Sequence, residues 1–92
     1  MQFIWNPKKR RENLRKHGVD FVRVARDFER LQVVGLDERE DYGEDRWIAM
    51  GYLGAQLVVV VYTLVEEDLV RIISARKATQ YEHKAFHRQT DR

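Results

Sequence analysis

This chain of 92 residues reads as an α+β domain, an antiparallel sheet packed by helices in the order β-α-α-β-β-β-β-α, on three observations. Most of its β-branched apolar residues are gathered between Leu57 and Lys77. They include four consecutive valines, Val58 to Val61, which only a strand covered on both faces or a helix can hide, and β-branching favours the strand. Ahead of that stretch, Phe21, Val24, Ala25, Phe28 and Leu31 recur at the helical period. Behind it, Thr79 and Glu82 have the spacing of a capping box, which opens a last helix. The implied architecture places the helices on one face of the sheet.

Each element follows from local signals. Phe3-Ile4-Trp5 makes a short first strand. Asn6-Pro7 then supplies an N-cap with proline at the first helical position, so a helix runs from Pro7 to His17 and Gly18 provides the left-handed residue that ends it. Only Leu14 offers this helix an apolar, core-facing side chain, which puts it on the surface with the stems of its basic residues lying over the sheet. Asp20 caps a second helix carrying the Phe21 to Leu31 stripe. Helix, glycine, helix resembles a DNA-reading motif, but Arg23, Arg26 and Arg30 come without Asn, Gln or Ser to read base edges.

Gln32 to Leu36 reads as a strand and Asp37 to Asp45 as a polar loop. From Arg46 to Leu53 the residues alternate, and Gly54-Ala55 joins this strand to the valine strand as a hairpin. Glu66-Glu67-Asp68 turns the chain into Leu69 to Lys77, a strand that begins apolar and ends on two cations. After it, Tyr81 and Ala85 are one helical turn apart and dock the last helix, while Arg88 to Arg92 frays.

Composition narrows the classes of function. The length fits one domain over residues 1–92, with a modest core that a partner covering one face would help to stabilise. With no cysteine, disulfides and thiolate metal sites are excluded, and no apolar run approaches the ~20 residues of a membrane helix. The start of the chain lacks a signal-peptide pattern, so a soluble, unprocessed, cytoplasmic protein is expected. The net charge of +2 hides a segregation: residues 1–30 carry nine Lys/Arg against four Asp/Glu, and residues 31–45 carry one against six. Such a split either brings a basic site and an acidic loop together or serves two partners of opposite sign, and a basic surface suggests nucleic acid, although a solvated face is the commoner reading of a charge run.

Five motifs in order then carry a resemblance: Trp5-Asn6-Pro7-Lys8-Lys9 with Asn13, Lys16-His17-Gly18 with Phe21, Asp41-Tyr42-Gly43-Glu44 with Arg46-Trp47, Val60-Val61-Tyr62-Thr63, and Arg71 to Ala78. Together they resemble the BrnT family of type II toxins over nearly the whole chain. The resemblance implies a RelE-like fold and an endoribonuclease that cuts RNA and stops translation. It also implies neutralisation by a BrnA-type ribbon-helix-helix antitoxin, in a hetero-oligomer that contacts operator DNA through the antitoxin.

Metal-free RNA cleavage needs a base for the 2′-hydroxyl, cations for the charge developing on phosphorus, and an acid for the departing oxygen. Arg76, at the end of a rigid strand, is the first candidate for the phosphate; the other reading is an ion pair with Glu44 or Asp41. Lys77 points to the opposite face of a regular strand. His17 is of the residue type best suited to acid–base work near neutral pH, or serves only the negative end of its helix. Arg46 either binds phosphate or neutralises Asp41 and Glu44. RelE-like enzymes often use basic residues and a tyrosine, which keeps Tyr62, Lys9 and Lys16 as alternatives, with Lys9, Lys16 and Lys77 as RNA contacts. Trp47 and Tyr52, on opposite faces, can stack on bases, although Trp47 fits a core better. His83 and His87 have the spacing of a metal pair but no evident third ligand, and no phosphate-binding glycine loop occurs, so neither a metal nor a cofactor is expected. The rival from another class is a non-catalytic nucleic-acid-binding or adaptor module, in which the same cations grip a backbone without cutting it.

Overall fold

A computed structural model gives the structure of this chain and describes residues 1–90. The strands are β1 (Gln2–Ile4), β2 (Gln32–Leu36), β3 (Trp47–Leu53), β4 (Gln56–Glu66) and β5 (Leu69–Lys77), in the spatial order β1-β5-β4-β3-β2. From β2 to β5 the pairing is antiparallel, but β1 runs parallel to β5, so the sheet is mixed rather than antiparallel throughout. The helices are α1 (Pro7–His17), α2 (Phe21–Arg26) and α3 (Gln80–Thr90), with a 3-10 turn at Phe28–Arg30.

Both faces of the sheet are covered, and this corrects the expectation that all helices share one face. Val58, Val60, Tyr62, Val70 and Ile72 pack with Phe21 and Val24 of α2 on one side. On the other, Met50, Leu57 and Val59 pack with Tyr52 and with Phe86 of α3. The valine run dictates this arrangement: successive side chains point to opposite faces, so each face presents branched apolar groups that must leave water. Tyr81 does not dock α3, being 77% exposed. Phe86 does so in its place, and the helix continues to Thr90 rather than fraying from Arg88; the rest of that expectation lies outside the described residues.

The first helix is capped as expected. Asn6 Oδ1 accepts hydrogen bonds from the Lys8 and Lys9 amides at 2.9 and 3.3 Å, and Gly18 closes the other end with φ 71° while donating to the Leu14 carbonyl at 2.8 Å. Its inward residue is not Leu14, which is 43% exposed, but Asn13, which is buried. Beyond Arg71 the edge of β5 has outrun β1, and the Asn13 side chain takes the place of a strand there. Its Nδ2 donates to the Ala75 carbonyl at 2.7 Å and to the Val19 carbonyl at 3.0 Å, while its Oδ1 accepts from the Ala75 amide at 3.1 Å. A bare strand edge needs hydrogen-bonding groups, which leucine lacks.

The second helix stops at Arg26 and tightens into the 3-10 turn instead of continuing to Leu31. The break at Asp27 sets the Phe28 ring between those of Phe3 and Tyr62, at centroid distances of 5.2 and 5.1 Å. Tertiary packing has overridden helical period here. The turn crosses the sheet at Gly51, where a Cβ would stand 2.7 Å from the Arg30 carbonyl oxygen and 3.0 Å from Leu31 Cα.

One irregularity in β5 positions the site. Ile72 pairs with Tyr62 and Ser74 with Val61, leaving Ile73 as an extra residue that reverses the alternation. Ser74 and Arg76 therefore share the α3 face with Val61 and Val59, and Lys77 lies on the other face.

Candidate functional site

Between the sheet and the start of α3 is a cavity of about 500 Å³. Ile48, Met50, Val59 and Val61 give it an apolar lining, and Ser74, Arg76, Arg39 and Glu82 supply the polar groups. Arg76 reaches it from β5 in a fork-to-fork ion pair with Glu82, Nη1 to Oε1 at 2.7 Å and Nη2 to Oε2 at 2.9 Å. Glu82 is also half of the capping box of α3: its Oε1 accepts from the Thr79 amide at 2.8 Å and its amide donates to Thr79 Oγ1 at 3.2 Å. The Arg76 guanidinium, and after it the Thr79 amide, hold the Glu82 carboxyl at a pKa of about 2 against the opposing effect of burial.

Arg39 stands near enough to Arg76 to repel its charge. It is anchored by the buried carboxylate of Asp37, at 2.8 Å through Nε and 2.7 Å through Nη2, and Tyr42 donates to the same carboxylate at 3.1 Å. Asp37 is held well below the ordinary carboxylate range, chiefly by Arg39.

A second concave region follows α1 and the outer edge of β5. One depression of about 230 Å³ is lined by Lys9, Glu12, Asn13, Lys16, His17 and Ile73. Another of about 230 Å³ is lined by Asn6, Lys9, Arg46, Arg71, Ile72 and Ile73. They share Lys9 and Ile73 and so form one basic groove. At its far end Arg71 is hydrogen-bonded to both oxygens of Glu44, 2.6 Å from Oε2. Arg46 also faces that carboxylate, at 3.7 Å, with its guanidinium 4.0 Å above the Tyr42 ring. The Arg46 Nε is buried and makes no hydrogen bond among the described residues. Two guanidiniums on one carboxylate leave a positive charge in excess, and Arg71 in particular draws the Glu44 pKa down.

The structure therefore divides the candidates. His17, Lys9 and Lys16 lie together in the groove, and Lys9 links them to Arg46. Arg76 lies under α3 instead, and its ion-pair partner is Glu82 rather than Glu44 or Asp41. The two regions meet at β5, where Ile73 lines the groove and Ser74 the cavity. Lys77 sits on the face opposite Arg76, its Nζ 3.8 Å from where a Cβ of Gly18 would be. Tyr62 is a core residue, ring to ring with Phe28, and burial pushes its phenol pKa up. Trp47 packs against the core, whereas Tyr52 lies on the α3 face with its hydroxyl 2.7 Å from His87 Nε2.

Nothing in the sequence assigns Glu82, Arg39, Arg71 or Ser74 to a site. The capping box had already located Glu82 at the start of a helix, six residues after Arg76, but its second partner depends on how that helix turns back over β5.

A family model described as ribonuclease toxin, BrnT, of type II toxin-antitoxin system matches residues 5–82. No curated protein matches the chain significantly. Among solved structures, the 1.1 Å crystal structure of the Brucella abortus ribonuclease toxin, BrnT, is similar with a TM-score of 0.71 and 30% sequence identity, covering 87% of this chain and 99% of that one.

Proposed function

The chain belongs to the BrnT family of ribonuclease toxins of type II toxin-antitoxin systems, and on that premise we propose that it is a RelE-like endoribonuclease that cuts RNA without a metal. It acts in the cytoplasm, where it stops translation until a BrnA-type ribbon-helix-helix antitoxin binds it. The resulting hetero-oligomer reaches operator DNA through the antitoxin.

The observation that carries this reading is the Arg76 guanidinium in a concave, partly apolar site with a second arginine nearby and a carboxylate on it. A phosphodiester entering the cavity takes over the bidentate geometry that Glu82 now occupies, and Arg39 adds a second positive charge as the pentavalent phosphorus forms. Glu82, released but still adjacent, accepts the 2′-hydroxyl proton. The 2′-oxygen closes on phosphorus to give a cyclic phosphate, and the departing 5′-oxygen takes a proton from water. The groove holds the strand on one side of the scissile bond, with Lys9, Lys16 and Arg46 on phosphates, His17 beside them and Lys77 at the end of α1. In this arrangement His17 and Arg46 bind RNA, and Tyr62 supports the core.

The test is labelled RNA incubated with purified protein in the presence of a chelator. Wild type is expected to cut, and Arg76→Ala to lose about a hundredfold or more in rate with binding largely kept. Scission that needs added metal overturns the metal-free chemistry, and unchanged scission in the variant overturns the role of Arg76. Binding with no scission by wild type favours the adaptor reading.

A further inference from the structure

The outer edge of the sheet at β2 carries few of the devices that keep free strands from pairing. It has no strand partner on that side among the described residues. Three of its five residues are large and exposed, Val33 at 58%, Val34 at 48% and Leu36 at 40%. It contains no lysine and no proline, and only the shift in register between Val33 and Gly35 interrupts it. An apolar, unpaired edge is a template for another strand.

Charge indicates the kind of strand. The loop leaving β2, from Asp37 to Asp45, carries six carboxylates and one cation; Asp37 holds that cation, Arg39, and Glu44 is taken up by Arg71 and Arg46. Glu38, Glu40, Asp41 and Asp45 are exposed there. We propose that β2 takes up an extended segment of the antitoxin as a sixth strand, with apolar side chains at alternate positions and Lys or Arg where it passes the acidic loop. This rests on the toxin–antitoxin reading and adds to it a place and a chemistry for the contact.

A second copy of this chain fits less well. Two-fold pairing sets the edges antiparallel, so each acidic loop meets the residues ahead of the other β2, where Arg30 is the nearest cation against four exposed carboxylates. A basic segment matches the loop directly, which favours both encounter and register. The edge also borders the cavity, because Val34 of β2 and Arg39 of the loop both line it. A strand laid on β2 therefore stands at the margin of the space that Arg76 faces, and neutralisation follows from obstructing it.

The experiment uses the whole chain and the protein encoded in the same operon as its antitoxin. Val33→Lys with Leu36→Lys places two positive charges on the edge without touching the cavity lining, and Glu38→Lys with Glu40→Lys removes the acidic complement. Both double variants are expected to keep wild-type RNA cleavage and circular dichroism while binding the antitoxin at least tenfold more weakly. The amides of Val33 to Leu36 are expected to gain protection from hydrogen exchange in the wild-type complex. Undiminished antitoxin binding by the edge variant, or no protection of those amides, overturns the docking site alone. Wild type that binds no antitoxin overturns the partner reading and this site with it. A wild-type dimer that the edge variant converts to monomer assigns the edge to a second copy.

Discussion

Asn13 and Glu82 each use one side chain to join two elements, and neither role shows in the residue's own type. Asn13 lies in a helix whose only nearby aliphatic is Leu14, and hydropathy selects the leucine. Proximity to an unpaired strand edge selects the amide instead, and that edge exists only because β1 stops at Ile4 while β5 runs on to Lys77. Glu82 was legible as half of a capping box but not as the partner of Arg76. Its depressed pKa has a consequence for stability. A carboxyl ionised more readily in the folded state stabilises fully above its unfolded value, about 4.5, and ceases to do so as pH falls towards 2. In urea melts, Glu82→Gln is therefore expected to be less stable than wild type at pH 7. The difference should narrow between pH 4.5 and pH 2, and a pH-independent difference would remove the ion pair from the account.

Among the elements, strands were easier to read than the way helices lie on them. β2 and β5 fall where β-branching and turn residues placed them, since a strand's signal is local: two-residue alternation and a punctuating glycine or acidic turn. The stripe from Phe21 to Leu31 was correctly apolar, yet its last third is a 3-10 turn, because Phe28 finds its place between two aromatic rings that lie far away in sequence. The same turn is why β3 has glycine at position 51. Gly51→Ala directs a methyl at a backbone carbonyl, which cannot swing aside as a side chain does, and the expected cost is about 2 kcal/mol of unfolding free energy. Chemical denaturation measures it, and a loss well under that figure would mean that the turn rides freely over the sheet.

At the scale of the whole molecule, the charge segregation seen in the sequence becomes geography: a basic groove along α1 and β5, and an acidic loop that leaves β2 and brings Glu44 onto Arg71 and Arg46 at the groove's end. Segment sums revealed the separation but not which cations would share a surface, as that depends on the sheet order β1-β5-β4-β3-β2. If the groove tracks a phosphate backbone, Lys9→Ala and Lys16→Ala should each weaken RNA binding irrespective of sequence. Each should also lower the slope of log K against log salt by about 0.7, the value for one single-strand contact. An unchanged slope would place the RNA elsewhere on the molecule.

The supernumerary Ile73 bears on how such a chain tolerates change in length. Counting by twos from Ile72 puts Arg76 among the core valines; one added residue shifts the phase and sends it to the opposite surface. The guanidinium thus owes its outlook to an odd count between two landmarks. Indels in this segment should act as parity switches, conserving composition while exchanging which side of the sheet carries the cation.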